Sequence, residues 1–270
     1  MGGPISETAS FTRFNAQITI QTSPPGLPIT VDGVGFTSPH QFTWMTGSLH
    51  TISSIDTTTP NAGTRYAWGS WTDGGAKSHT VISTKDTTIT ANFVTQYFLT
   101  MVANTGGTVT PASGWFNSGQ TITITGLPGA NYNFGVWSGN GLSSYTGINN
   151  PAAFTISDPV TETANFARKP VQIVIQSVPA GRPFIYDGVT YTVPQIRTVD
   201  PGTQHFLGAD APQSIGVGVQ YAWKSWSDGS GQYHAVFPDS NTTYTVTFVK
   251  QFLLTAAGGL GGSVSPPNAW

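Results

Sequence analysis

Four of the five histidines stand at equivalent positions of a duplicated stretch, His50 with His205 and His79 with His234. An aspartate precedes each member of the second pair, Asp73 before His79 and Asp228 before His234. Two imidazoles and a carboxylate are a sufficient ligand set for zinc or another divalent metal, with one coordination position left for water. The set would be His50, His79 and Asp73 in one copy and His205, His234 and Asp228 in the other, and a metal-bound water there would make a hydrolase. No His-x-x-x-His or His-x-Glu spacing fixes the rings together. A histidine beside an Asp-Gly turn can equally cap that turn through its ring nitrogens, which is the simpler reading. A Ser-His-Asp order can also be written, with Ser70, His79 and Asp73 or with Ser225, His234 and Asp228. Ser70 falls inside a predicted strand, not on a strained elbow, and no Gly-x-Ser-x-Gly occurs.

The same stretch carries four tryptophans, Trp68, Trp71, Trp223 and Trp226. Strict alternation along a strand puts Tyr66 and Trp68 on one face and Trp71 on the other. One indole of each copy then belongs to the core, and the other is free to form a platform for a glycan or a packing surface. Asp73-Gly74 and Asp228-Gly229 read as tight hairpin turns, because an Asp-Gly pair accepts positive φ at low cost. No alternating run of oxygen ligands surrounds them, so a calcium loop is not expected. Gly258–Gly262 is followed by neither a lysine nor a helix and reads as a turn, not a phosphate cradle.

The elements that must hold these side chains are strands. From about residue 12 to 94, alternating segments fall at Gln17–Gln21, Pro28–Val31, Gln41–Met45, Leu49–Ser53, Arg65–Trp71, His79–Ser83 and Thr87–Phe93, separated by Gly, Pro and Asp-Gly turn signals. That spacing predicts a small β-sandwich. From 95 to 168 the segments are Tyr97–Ala103, Thr108–Thr110, Gln120–Thr125, Tyr132–Trp137, Ala152–Ile156 and Val160–Phe166. No segment sustains a 3.6-residue apolar period, so almost no helix is expected and the chain reads as all-β.

A constant offset of 155 residues relates Gln17–Gln21 to Gln172–Gln176, Asp32-Gly33-Val34 to Asp187-Gly188-Val189, and Tyr66–Gly74 to Tyr221–Gly229. About four positions in ten are identical, which marks a duplication. The expected order is a sandwich at 12–94, a second kind of β domain at 95–168, and a second sandwich at 169–249. The offset also sets Glu7–Phe11 against Glu162–Phe166 and Trp115 against Trp270. Residues 1–11 are therefore expected to be the last strand of a preceding repeat, and 250–270 the start of another domain of the second kind, in a fragment of a larger protein. Strand edges left without neighbours at 4–11 and 250–270 would favour head-to-tail self-association.

Two resemblances follow from these residues. Ser23-Pro-Pro-Gly26 leading to Asp32-Gly33, and Val178-Pro-Ala-Gly181 leading to Tyr186-Asp-Gly188, resemble the opening of PEGA-type bacterial surface domains. Gly106-Gly-Thr-Val-Thr-Pro111, Gly114-Trp115, Gly119–Ile124, Trp137-Ser-Gly139 and Thr163-Ala-Asn-Phe166 resemble divergent internalin-type B-repeats. The resemblance implies a bacterial surface or secreted protein, with repeats acting as stalks or adhesive segments, and it implies no chemistry.

Composition narrows the classes further. Only 8% of the 270 residues are charged and the net charge is −2, with no Lys/Arg cluster, so nucleic acid is not an expected partner. No apolar run is long enough to span a bilayer as a helix. Cysteine is absent, which excludes disulfides and thiolate metal sites. The function expected is a non-catalytic extracellular or cell-surface module that spaces or binds a glycan or other surface ligand, without a cofactor. Metal-assisted hydrolysis by the duplicated His and Asp residues is the alternative.

Overall fold

A computed structural model of the chain describes residues 2–8, 14–265 and 269–270. These residues form strands and turns and hold no helix. They divide into two compact units, one of 1–129 with 134–166 and one of 130–133 with 167–270.

The first unit opens with β1 (Asn15–Ser23), β2 (Pro28–Val31), β3 (Val34–Thr37), β4 (His40–Met45), β5 (Leu49–Ser54), β6 (Thr57–Asn61), β7 (Thr64–Trp71) and β8 (Ser78–Ile82), followed by β9 (Thr87–Ala103). One layer of the first sandwich places β1 between β4 and β9, with β7 on the far side of β9 and β6 beyond it. The opposing layer runs β3-β2-β5-β8. Alternation along β1 and β2 sends Ile18, Ile20, Ile29 and Val31 inward, where they meet Trp44, Ile52, Trp71 and Val81. Trp71 is fully enclosed, and burying an aromatic of this size contributes about 1.5–3 kcal/mol.

The B-type domain adds β10 (Gly107–Thr110), β11 (Gly114–Asn117), β12 (Thr121–Pro128), β13 (Tyr132–Asn140), β14 (Ala152–Thr155) and β15 (Val160–Arg168). Its sheet β10-β12-β14 covers a core of Leu99, Ile122, Ile124, Trp137, Phe154 and Ile156. The expected junction at Val94-Thr95 is not a linker, because β9 runs unbroken through it for 17 residues. Its first part pairs with β1 and its last part with β15.

The second unit repeats the sandwich with β16 (Val171–Val178), β17 (Phe184–Tyr186), β18 (Val189–Tyr191), β19 (Gln195–Val199), β20 (His205–Gly208), β21 (Gln213–Gly216), β22 (Val219–Trp226), β23 (Tyr233–Val236) and β24 (Thr242–Phe252). The layers are β19-β16-β24-β22-β21 and β18-β17-β20-β23, around Ile173, Ile175, Phe184, Leu207, Trp226 and Val246. Residues 2–8 are exposed and carry no strand, while the remainder of the expected N-terminal strand, 9–11, lies outside the described residues together with Met1. Beyond β24, Leu254 and Ala269 form an isolated antiparallel bridge.

The B-type core contains one anomaly, the fully buried Glu162 on β15. Its Oε1 accepts the Tyr145 amide at 2.6 Å, whereas Oε2 has no hydrogen-bond partner among the described residues. Burial raises this carboxyl above the ordinary glutamate value of 4.5, against the opposing effect of the Tyr145 bond. A raised acid stabilises the fold while protonated in both states, and that contribution is lost as pH rises through the folded value. In thermal melts from pH 4 upward, wild type should therefore lose stability relative to Glu162→Gln. Parallel curves for the two proteins would contradict the assignment.

Candidate functional site

Each sandwich contains two His–Asp pairs, assembled by different turns. The first lies after β7, where Gly74 takes φ +80° and its amide donates to the Trp71 carbonyl at 3.2 Å. Asp73 accepts the Gly75 amide at 3.1 Å through Oδ1 and receives His79 Nε2 on Oδ2 at 2.8 Å. The other ring nitrogen, Nδ1, meets the Ala76 carbonyl at 2.7 Å. In the second copy His234 meets Asp228 at 2.9 Å and the Gly231 carbonyl at 2.8 Å. The core indole joins the same turn, with Trp71 Nε1 donating to the Lys77 carbonyl and Trp226 Nε1 to that of Gln232.

Both nitrogens of His79 and of His234 thus face an oxygen of their own turn, so neither points into open space where a metal could sit. Nor is a nitrogen left for Ser70 or Ser225, so the Ser-His-Asp order written from sequence is not assembled.

His50 and His205 are not brought to these pairs. Their partners are Asp32 and Asp187, at the turns that follow β2 and β17, where both aspartates hold positive φ of 49° and 47°. Asp and Asn tolerate that conformation better than bulkier residues do. Asp32 Oδ2 contacts His50 Nδ1 at 2.6 Å while Oδ1 accepts the Thr51 amide at 2.8 Å. Asp187 does the same with His205 Nδ1 and the Phe206 amide, each at 2.8 Å. The pair thus staples a hairpin turn to the neighbouring strand, β5 or β20.

On the far side of each ring stands a hydroxyl, Ser48 Oγ at 2.9 Å from His50 Nε2 and Thr203 Oγ1 at 3.0 Å from His205 Nε2. The order of atoms is that of a hydrolytic triad, with a main-chain carbonyl as a second partner of each hydroxyl. Ser48 donates to the Met45 carbonyl and Thr203 to the Asp200 carbonyl, both at 2.7 Å. Each hydroxyl has one hydrogen, for which the main-chain carbonyl competes with the imidazole. The His50 bond and then the Thr51 amide hold Asp32 below the ordinary carboxylate value. At Asp187 the largest influence is burial, acting upward, yet the bonds from His205 and the Phe206 amide together keep the carboxyl low. Among the described residues no three His, Asp or Glu side chains gather as a metal site.

The tryptophans differ from the alternation expected. A β-bulge between Trp68 and Ser70 inserts one residue into β7, so Trp68 faces Phe93 and Trp71 faces Ala91. Both indoles therefore turn toward the core, Trp71 buried and Trp68 packed against it. The bulge recurs between Trp223 and Ser225, with the same result for Trp223 and Trp226.

Exposed aromatics occur elsewhere, on the outer face of β17-β20-β23. Phe206 and Tyr233 are 54% and 58% exposed and flank Gly208, over which the Tyr233 ring lies. With Ile185 and Asp187 they line a groove of about 640 Å³, and the Tyr233 hydroxyl donates to Asp210. The duplication makes this face informative. The positions of Ile185, Phe206, Gly208 and Tyr233 hold Thr30, Thr51, Ser53 and Ser78 in the first copy. A cleft of about 450 Å³ opens in the first sandwich beside Trp44, Asp73 and His79.

Two outcomes follow. His79→Ala and His234→Ala should each lower stability by about 1–2 kcal/mol in urea denaturation, because each strips hydrogen bonds from a partly buried carboxylate, and EDTA should leave the wild-type melt unchanged. An EDTA-sensitive melt would restore the metal reading. Asp187 has a depressed folded value, so its contribution is present above the ordinary value of 3.8 and lost as pH falls through the folded one. Asp187→Asn should accordingly be less stable than wild type at pH 7, with the gap closing in acid.

Comparison with curated proteins finds no relative. The chain is similar to the solved structure of the Bacillus anthracis TIE protein, at 9% identity over 87% of this chain and 51% of that one, with a TM-score of 0.29. It is also similar to the pilus adhesin SpaC from Lactobacillus rhamnosus GG in its open conformation, at 13% identity over 91% and 44%, with a TM-score of 0.21. This chain spans about half the length of those two. Residues 97–170 match the family model described as the divergent InlB B-repeat domain.

Proposed function

We propose that this chain is a non-catalytic repeat segment of a bacterial surface or secreted protein, serving as a spacer that also binds a surface ligand. The observation that carries the non-catalytic part is the double engagement of all four duplicated imidazoles by oxygens, of their own turn for His79 and His234 and of two different turns for His50 and His205. The B-repeat match over 97–170 supports the surface location, and the PEGA-like openings of both sandwiches agree with it. Metal-assisted hydrolysis, the alternative, would require at least one of these rings to release an oxygen partner and expose a lone pair.

The binding part rests on the groove of the second sandwich. Exposed Phe206 and Tyr233 offer two ring faces beside the carboxylates of Asp187 and Asp210, an arrangement suited to stacking on a pyranose ring and accepting from its hydroxyls. No arginine or lysine lines the groove, so a neutral glycan suits it better than an anionic one. The core tryptophans, first considered for this role, are turned inward. Affinity electrophoresis in neutral soluble polysaccharides tests the reading. Wild type should be retarded by at least one of them, and Phe206→Thr with Tyr233→Ser, the residues of the first copy, should migrate freely. Equal migration of both proteins in every gel would overturn glycan binding at this face.

A further inference from the structure

In each of the three modules the first and last strands are hydrogen-bonded neighbours running in the same direction. In the first sandwich β1 pairs in parallel with β9, from Ile18↔Thr87 to Ser23↔Asn92. In the B-type domain the last part of β9 pairs in parallel with β15, from Leu99↔Val160 to Ala103↔Ala164. In the second sandwich β16 pairs in parallel with β24, from Ile173↔Thr242 to Val178↔Thr247. Tension along the chain pulls the first strand of such a pair backward and the last strand forward. The two strands are then driven to slide past one another, and the slanted parallel bonds carry load together instead of opening one at a time.

Side chains lengthen each of these ladders. The Gln17 amide donates to Asp86 Oδ1 at 2.8 Å, one residue before the pairing starts, and the Gln172 amide donates to Asn241 Oδ1 at 2.7 Å. The residue differs between copies but the acceptor oxygen is retained. Gln21 Nε2 donates across the pair to Thr90 Oγ1 at 3.0 Å, and Gln176 Nε2 to Thr245 Oγ1 at 3.2 Å. In the B-type domain Asn104 extends the far end, its amide donating to the Ala164 carbonyl and its side chain to Asn165 Oδ1 at 2.6 Å. None of these side chains belongs to a hydrophobic core. Within the first unit β9 is the last strand of one module and the first of the next, so load crosses from module to module along one covalent backbone.

We propose that the parallel first–last strand pairs are mechanical clamps, and that the segment bears tension between whatever its two ends are attached to. The proposal deepens the spacer reading, yet it concerns a property of the isolated chain. The test is single-molecule force spectroscopy on the full chain in two geometries. In one the chain is held by its termini. In the other it is held through Ala180→Cys and Lys250→Cys, unique thiols placed beyond the same end of the β16–β24 pair, so that pulling peels the pair apart. The peak for the second sandwich should be severalfold higher in the first geometry. Gln176→Ala should lower that peak and leave the peeling force unchanged, with urea denaturation confirming that the variant is folded. Equal forces in the two geometries would overturn the clamp and leave the surface location standing, whereas immunolabelling that finds the parent protein only inside cells would overturn the location and leave the clamp.

Discussion

Strand β9 belongs to two cores at once, and much of the first unit follows from that constraint. Its core-facing residues fall on odd positions between Ile89 and Met101. Ile89, Ala91 and Phe93 face the core of the sandwich, while Tyr97, Leu99 and Met101 face that of the B-type domain. At about 3.3 Å per residue such a strand extends roughly 55 Å. A hinge at Val94-Thr95 would require backbone groups that β7 and β11 now pair with to be released together.

Cores this small leave turns that packing alone does not fix. The His–Asp pairs fill that role, each tying a turn with positive φ to an adjacent strand or to its own carbonyls. The way the two copies support the rings shows what is being retained. In the first copy Trp44 stacks on His50 at 3.9 Å and 11°, whereas in the second, with valine at the matching position, Tyr186 stacks on His205 from a different strand at 5.6 Å and 23°. Burial and then the neighbouring Asp187 push the Tyr186 phenol up to about 12, so it remains a neutral donor beside the pair. The hydroxyl beyond the ring changes from serine to threonine. Geometry is kept while side chains are exchanged, as expected of a structural device.

The duplication made much of this legible in advance. A fixed offset identified His50, His79 and their partners in the second copy, and alternation located most strands to within a few residues. Strands β3, β6 and β11 were missed because Val34–Thr37, Thr57–Asn61 and Gly114–Asn117 show no inward alternation, being exposed or only half-buried. The bulge at Trp68–Ser70 was hidden because an inserted residue changes face without changing composition. Pairing of His50 with Asp32 depends on which strands adjoin, whereas Asp73 was grouped with His50 only through its closeness in sequence to His79. Period two runs across Thr95 in the residues themselves, whereas the boundary expected at 94/95 divides β9 into two strands.

Amide hydrogen exchange across residues 90–100 tests the shared strand most directly. If β9 is one strand held by two cores, the paired amides of Val94 through Tyr97 exchange as slowly as those of Ile89 and Leu99 and open in the same cooperative step. A fast-exchanging window confined to Val94–Gln96, with the flanking segments opening independently, would mean that two separate domains meet at a flexible joint.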